Sequence, residues 1–200
     1  LGCKVVDGGR PDASRNNGAA AASQSSKIFC FLDADARLDS EYALEKALDE
    51  MNGRWLQVAG TMQKPIKTGR FLRDIAYKII YGSANYVMKK EQHSRRPFMQ
   101  TCMFATREVH EAIGGFKDWE HGEDSYYARE AVEAGYRFGI LESPGKVFIS
   151  PRRFEECGLI SLGMRNLRFI RRMKKGEMVK QSERDMEGNE RYWQDEPPKR

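Results

Sequence analysis

Two pairs of carboxylates carry the chemistry this chain could do. Asp33 and Asp35 close the apolar run Lys27-Ile-Phe-Cys-Phe-Leu-Asp33-Ala-Asp35, and Glu123 and Asp124 follow Gly122 far along the chain. Acid oxygens two residues apart at a strand end suit a hard divalent cation such as Mg²⁺ or Mn²⁺. They could equally be loop aspartates capping the next helix. The run before Asp33 reads as a strand buried on both faces, and a carboxylate ending such a strand must be solvated, paired or bound to metal. If the extended geometry persists through the pair, the two side chains lean to one side. Glu123 and Asp124 open a helix, where its dipole favours negative charge. Asp124 there is either an N-terminal cap or a general base facing a pocket. Trp119 and Glu123 stand beside it.

Cationic and amide groups form a second set. Arg15-Asn16-Asn17-Gly18 precedes a run of alanines. An arginine and free N–H groups at a helix start would contact an anion or a nucleotide, and turn chemistry with a solvated arginine is the alternative. Arg152-Arg153 could clamp a diphosphate or form a surface pair. Over 151–175 eight basic residues stand against Glu155 and Glu156, with Leu159, Ile160, Met164, Leu167 and Ile170 as an apolar stripe. Such a helix suits an anionic membrane surface, or docks on the core with its basic face in water.

The elements that must position these groups alternate. Strands are expected at 3–6, 27–33, 55–62, 98–105, 136–140 and 146–149. Helices are expected from Ala13 to Ser23, then over 41–51, 71–87, 109–113, 123–134 and 154–175. The 71–87 helix is expected to pack its apolar residues, Phe71, Leu72, Ile75, Ile79 and Tyr86 among them, against the sheet, with a binding surface as the lesser alternative. This alternation argues for an α/β sandwich with a largely parallel sheet. Residues 1–150 read as one domain, 151–176 as a basic amphipathic helix, and 177–200 as a charged tail too poor in apolar residues to order itself. The 200 residues suffice for a real core, and the net charge of +5 only tolerates anionic partners. Cysteines 3, 30, 102 and 157 form no C-x-x-C pair and are expected as reduced thiols, which points to a cytoplasmic protein. The three histidines lack zinc spacing. No apolar run approaches the roughly 18 residues of a spanning helix. Aromatic and basic residues do not interleave as in single-strand binders, so nucleic acid is not an expected partner.

In this order, Ala13-Ser-Arg15-Asn16-Asn-Gly18, Phe31-Leu-Asp33-Ala-Asp35, Gly114-Gly-Phe116, Gly122-Glu-Asp124 and Arg152-Arg153-Phe154 resemble the motifs of family 2 glycosyltransferases of the GT-A fold, over roughly residues 3–175. The resemblance implies a GT-A-like α/β/α sandwich with a mostly parallel, mixed sheet. It also implies that the first βαβα portion, roughly 60 residues, lies before Leu1. It implies an inverting, metal-dependent transfer from a nucleotide-diphosphate sugar to an acceptor sugar or polyprenyl phosphate. Asp35 would bind Mg²⁺ or Mn²⁺, with Asp33 its partner near the ribose. Arg15 and Asn16 would lie at the nucleotide, Arg152 and Arg153 at the diphosphate, Trp119 and Glu123 at the acceptor, and Asp124 would be the base. The expected location is cytoplasmic, with peripheral contact to the membrane. Nucleotidyl transfer on a similar fold, and a non-catalytic fragment binding anionic surfaces, are the competing expectations.

Overall fold

The computed structural model describes residues 2–100, 102–119 and 122–158, and beyond them the helical positions Met164, Arg168, Arg171 and Lys175. The elements run α1 Pro11–Ala21, β1 Ile28–Phe31, β2 Ala36–Arg37, α2 Ala43–Gly53, β3 Val58–Pro65, α3 Phe71–Glu91, β4 Met103–Thr106, α4 Arg107–Ala112, α5 Glu123–Glu133, β5 Phe138–Ile149 and α6 Arg152–Cys157. The chain is thus mixed α/β. The expected tail 177–200, and most of the basic helix 151–176, lie outside the described residues.

Five strands form one sheet in the order β1-β4-β3-β5-β2. Only β3 and β5 pair in parallel. The β1–β4, β4–β3 and β5–β2 pairs are antiparallel. The largely parallel sheet expected from the alternation is therefore corrected to a mixed one. β4 runs antiparallel to both β1 and β3, although α3 connects it to β3, and the two-residue β2 runs antiparallel to β5. The sheet also curls. Phe31 and Ala36 belong to its two opposite edges. Five residue steps reach at most about 17 Å, while a flat five-stranded sheet would hold its edges about 19 Å apart.

Several local expectations change. Residues 3–6 form no strand and are exposed, because no neighbouring strand offers them a ladder. β1 is an edge strand, so it is not buried on both faces: Phe29 is buried and Cys30 is exposed. The two strands expected around Pro144-Gly145 are one long β5. Its partners on β3 jump from Thr61↔Leu141 to Met62↔Lys146, which leaves 142–145 looped out as a bulge. The Glu50 carboxylate of α2 accepts the N–H groups of Glu142 and Ser143 and so satisfies the bulged backbone.

The core lies on both sides of the sheet. On one face Ala47 and Met51 of α2 and Tyr77 and Tyr81 of α3 meet Ala59, Phe104, Leu141, Val147 and Phe154. On the other, Val109 of α4 and Tyr127, Ala128 and Ala131 of α5 meet Val58, Met103, Ala105, Phe138 and Ile140. Gly60 of β3 has no room for a side chain: a Cβ there would stand 2.8 Å from Met99 and 3.1 Å from Ile140.

α3 departs from its expected packing. Its buried face is Tyr77, Tyr81, Asn85 and Met88, while Phe71, Leu72, Ile75, Ile79 and Tyr86 are exposed. The polar Asn85 is buried because β3 needs it. β3 pairs with β4 only over Val58–Gly60. Beyond that, Gln63 has lost its strand partner on this side. The Asn85 amide replaces it, accepting from the Gln63 N–H at 2.8 Å and donating to the Gln63 carbonyl at 2.7 Å.

Candidate active site

α1 brings the cation to the acids. Pro11 stands in its first turn, where a fixed φ favours the helix and a missing N–H costs nothing. The helix therefore starts at Pro11, and Arg15-Asn16-Asn17 sits in its second turn. The N–H groups expected to be free at 15–18 are inside the helix, so the anion contact predicted there falls to side chains alone. Asp12, Arg15, Asn16 and Ala19 share one face by their spacing and turn from solvent.

Two side chains on that face lock α1 to the rest of the molecule. Asn16 donates from Nδ2 to the Phe116 carbonyl at 2.8 Å and accepts the Phe116 N–H at 2.9 Å. Its amide holds the Gly114-Gly115-Phe116 turn. Gly115 must be glycine here: its φ is +72°, and a Cβ would stand 2.5 Å from Asn16 Oδ1. Arg10 Nη1 reaches Asp118 Oδ1 at 3.0 Å, tying the same segment to the start of α1.

Arg15 is the hub. Its Nη2 donates to Asp33 Oδ1 at 2.9 Å. Its Nη1 donates to Glu123 Oε1 at 2.9 Å and to Asp124 Oδ1 at 2.8 Å. The guanidinium carbon lies 5.0 Å from the centre of the Phe116 ring, a cation–π contact. Burial opposes the charge on Arg15, but the attraction of Asp124, Glu123 and Asp33 outweighs it and holds its pKa above the ordinary arginine value. One guanidinium facing three carboxylates leaves an excess of two negative charges at this point.

The acids arrive from separate elements. β1 stops at Phe31, and the Ala36 N–H bonds the Asp33 carbonyl at 3.0 Å in a turn. Asp33 and Asp35 thus sit in a turn, and the extended geometry expected to align them does not persist. Asp35 is half-buried and, among the described residues, makes no hydrogen bond or ion pair. Glu123 and Asp124 occupy the first turn of α5 after Gly122, whose left-handed φ of +74° favours glycine. Asp124 and Ser125 are buried, and Ser125 fixes α5 by exchanging hydrogen bonds with the Met99 backbone at 3.0 and 2.8 Å.

Trp119 packs on Tyr126 of α5 with ring centres 5.0 Å apart, and its buried Nε1 has no hydrogen-bond partner among the described residues. Arg152 is exposed at the start of α6. The side chain of Arg153 lies outside the described residues. The structure therefore gathers Arg15, Asp33, Glu123 and Asp124, leaves Asp35 beside them in sequence, and gives Asn16 to the Phe116 turn. Sequence reasoning missed Phe116 as the ring under Arg15, although its place after Gly114-Gly115 was visible.

Behind the hub lies an aromatic wall of Phe29, Phe31, His110, Phe116 and Tyr127. His110 Nδ1 stands 3.1 Å from the Tyr127 hydroxyl. Burial, with a smaller push from Arg107, holds His110 below its ordinary pKa against the pull of Glu111. The unfolded chain takes up a proton on this ring near pH ~6.5, before the folded protein does. Stability should therefore fall as pH drops below that value and level off under the folded pKa. Thermal melts of the wild type and His110→Gln across that range check this: the variant should lose part of the acid-side slope.

A metal can be tested against the donor set. Among the described residues no three His, Cys, Asp or Glu side chains group closely enough to cage an ion. Mg²⁺ and Mn²⁺ sites that act on phosphates commonly use one or two carboxylates and complete their shell from substrate. Of the expected pair, Asp33 is bonded to Arg15 and Asp35 follows it in the same turn, so the carboxylate types and number that such a site uses are present there. Also among the described residues, no helix is long and apolar enough to cross a membrane, and Cys3, Cys30 and Cys102 are free. The chain matches no protein-family model and no curated protein.

Proposed function

We propose that this chain carries the acceptor-side and metal-side halves of an inverting glycosyltransferase site that uses a nucleotide-diphosphate sugar. The observation that carries the reading is the sharing of Arg15 by Asp33 and Asp124, groups far apart in the sequence. Base and leaving-group stations must lie near one sugar, and a single guanidinium touching both acids brings the two stations to one place.

In this reading Asp124 takes the proton of the acceptor hydroxyl as its oxygen attacks. Its contact with Arg15 orients it. Glu123 and the Trp119–Tyr126 pair would line the acceptor side, with the Trp119 Nε1–H as a donor for a hydroxyl. Asp33 and Asp35 would hold Mg²⁺ or Mn²⁺, which when bound supplies positive charge to the departing diphosphate. The excess of two negative charges around Arg15 matches such an ion. Arg152 and Arg153 are the proposed diphosphate contacts. The acceptor is proposed as a sugar or a polyprenyl phosphate.

The test is a panel of nucleotide-diphosphate sugars with Mn²⁺, read as nucleoside diphosphate released in the presence of acceptor. A parallel arm supplies nucleoside triphosphates and sugar phosphates. Nucleoside diphosphate release in the first arm supports sugar transfer. Pyrophosphate release in the second arm, with none in the first, would replace it with nucleotidyl transfer.

A further inference from the structure

The sequence places a membrane contact on the basic helix after residue 151. The structure points to a different surface. α3 leaves Leu72 78%, Phe71 75%, Tyr86 67% and Ile79 64% exposed, with Ile75 at 39%. At about 100° per residue these five fall within an arc of about 100° on the helix, opposite the buried face of Tyr77, Tyr81 and Met88. The arc is a continuous apolar stripe running from the first turn of α3 almost to its last.

The charges of α3 that border it are basic, and one acid meets them from β5: Lys89 Nζ pairs with Glu142 Oε1 at 2.6 Å. Lys78 and Lys89 lie along one border of the arc and Lys90 along the other, all exposed. Neither acid of α3 falls within it. Asp74 lies outside and accepts the Thr68 N–H and hydroxyl and the Gly69 N–H. Glu91 lies on the far side of the helix. An apolar face that carries no acid of its own and is edged by three lysines, one of them shared with Glu142, keeps a basic excess complementary to an anionic lipid surface, in whose plane such a helix can lie. A second copy of the chain fits less well. Pairing this stripe with itself would bring lysine borders together, with Glu142, already paired to Lys89, as the carboxylate at the edge to receive them.

We infer that the exposed face of α3 (Phe71, Leu72, Ile75, Ile79 and Tyr86, bordered by Lys78, Lys89 and Lys90) docks this protein on an anionic membrane surface. The inference concerns where the molecule sits and holds whether or not sugar transfer is found.

Co-sedimentation with vesicles tests it, using phosphatidylcholine alone and phosphatidylcholine carrying about 30 mol% phosphatidylglycerol. The wild type should bind the anionic vesicles, less so as salt rises. Leu72→Glu/Ile79→Glu and, separately, Lys78→Glu/Lys89→Glu/Lys90→Glu should each lower binding about tenfold or more. Both variants change exposed positions, so their melting temperatures should stay near the wild-type value. Binding unchanged in either variant would overturn the assignment, as would equal binding to both vesicles or no binding to either. So would a wild-type dimer that Leu72→Glu/Ile79→Glu dissociates. Binding lost only on removal of residues 159–200 would return the contact to the C-terminal helix.

Discussion

Asp124→Asn is expected to lower sugar transfer by about 10²–10⁴-fold, the range that a positioned base contributes, while nucleoside diphosphate binding persists. The substitution keeps the shape of the side chain and an oxygen to accept from Arg15 Nη1, which now lies 2.8 Å from Asp124 Oδ1. It removes the capacity to take a proton. The carboxylate is buried in the first turn of α5 and bound to a guanidinium. Turnover and diphosphate affinity measured on one preparation separate the two effects. Wild-type turnover in the variant would remove Asp124 from the chemistry and return it to a structural cap.

Arg15→Ala is expected to destabilise the fold by about 3 kcal/mol at neutral pH, the lower end of the cost of breaking a buried ion pair from one side. The lower end applies because the Asp33 side chain remains 29% exposed and water can reach it. Without the guanidinium, Asp33, Glu123 and Asp124 face one another unscreened, and α1 loses its contact with Phe116. The penalty should shrink below pH ~4, where carboxylates take up protons. Arg15→Lys should fall between the two, since an ammonium restores charge without the two-pronged geometry. Denaturant melts at two pH values measure all of this. A pH-independent loss would mean that packing of α1, rather than charge, is what Arg15 contributes.

The sequence carried the element order well where periodicity was strong. The helices expected from 71, 109 and 123 begin at Phe71, Arg107 and Glu123, and the strands expected to end at 33, 62 and 105 end at Phe31, Pro65 and Thr106, the last starting only at Met103 and not at 98. Strand direction was not readable, because pairing is a tertiary choice. β4 reads the same whether parallel or reversed. The strand β2 has two residues and no pattern at all. Asn85 held a signal that could have been used: a lone amide within a helical face that turns out to be buried suggests a backbone that needs a partner. Reading α3 by its most hydrophobic residues picked the exposed stripe, because tyrosines and a methionine fill the inner face.

The four charged residues of the site were each visible by type, and their convergence was expected from the ends of the strands. Arg15 as the link between them was not. Its spacing to the acids is 18, 108 and 109 residues, beyond any local pattern. Asn16 shows the opposite error. Its motif suggested a ligand contact, and the structure gives its whole amide to the Phe116 backbone.

The most direct test of the shared site is titration of nucleoside diphosphates into the protein with and without Mn²⁺, comparing the wild type, Asp35→Ala and Asp124→Asn. The account predicts Mn²⁺-dependent binding that Asp35→Ala abolishes and Asp124→Asn retains. Binding in Asp35→Ala indistinguishable from the wild type, or no binding of any nucleoside diphosphate with the metal present, would contradict it.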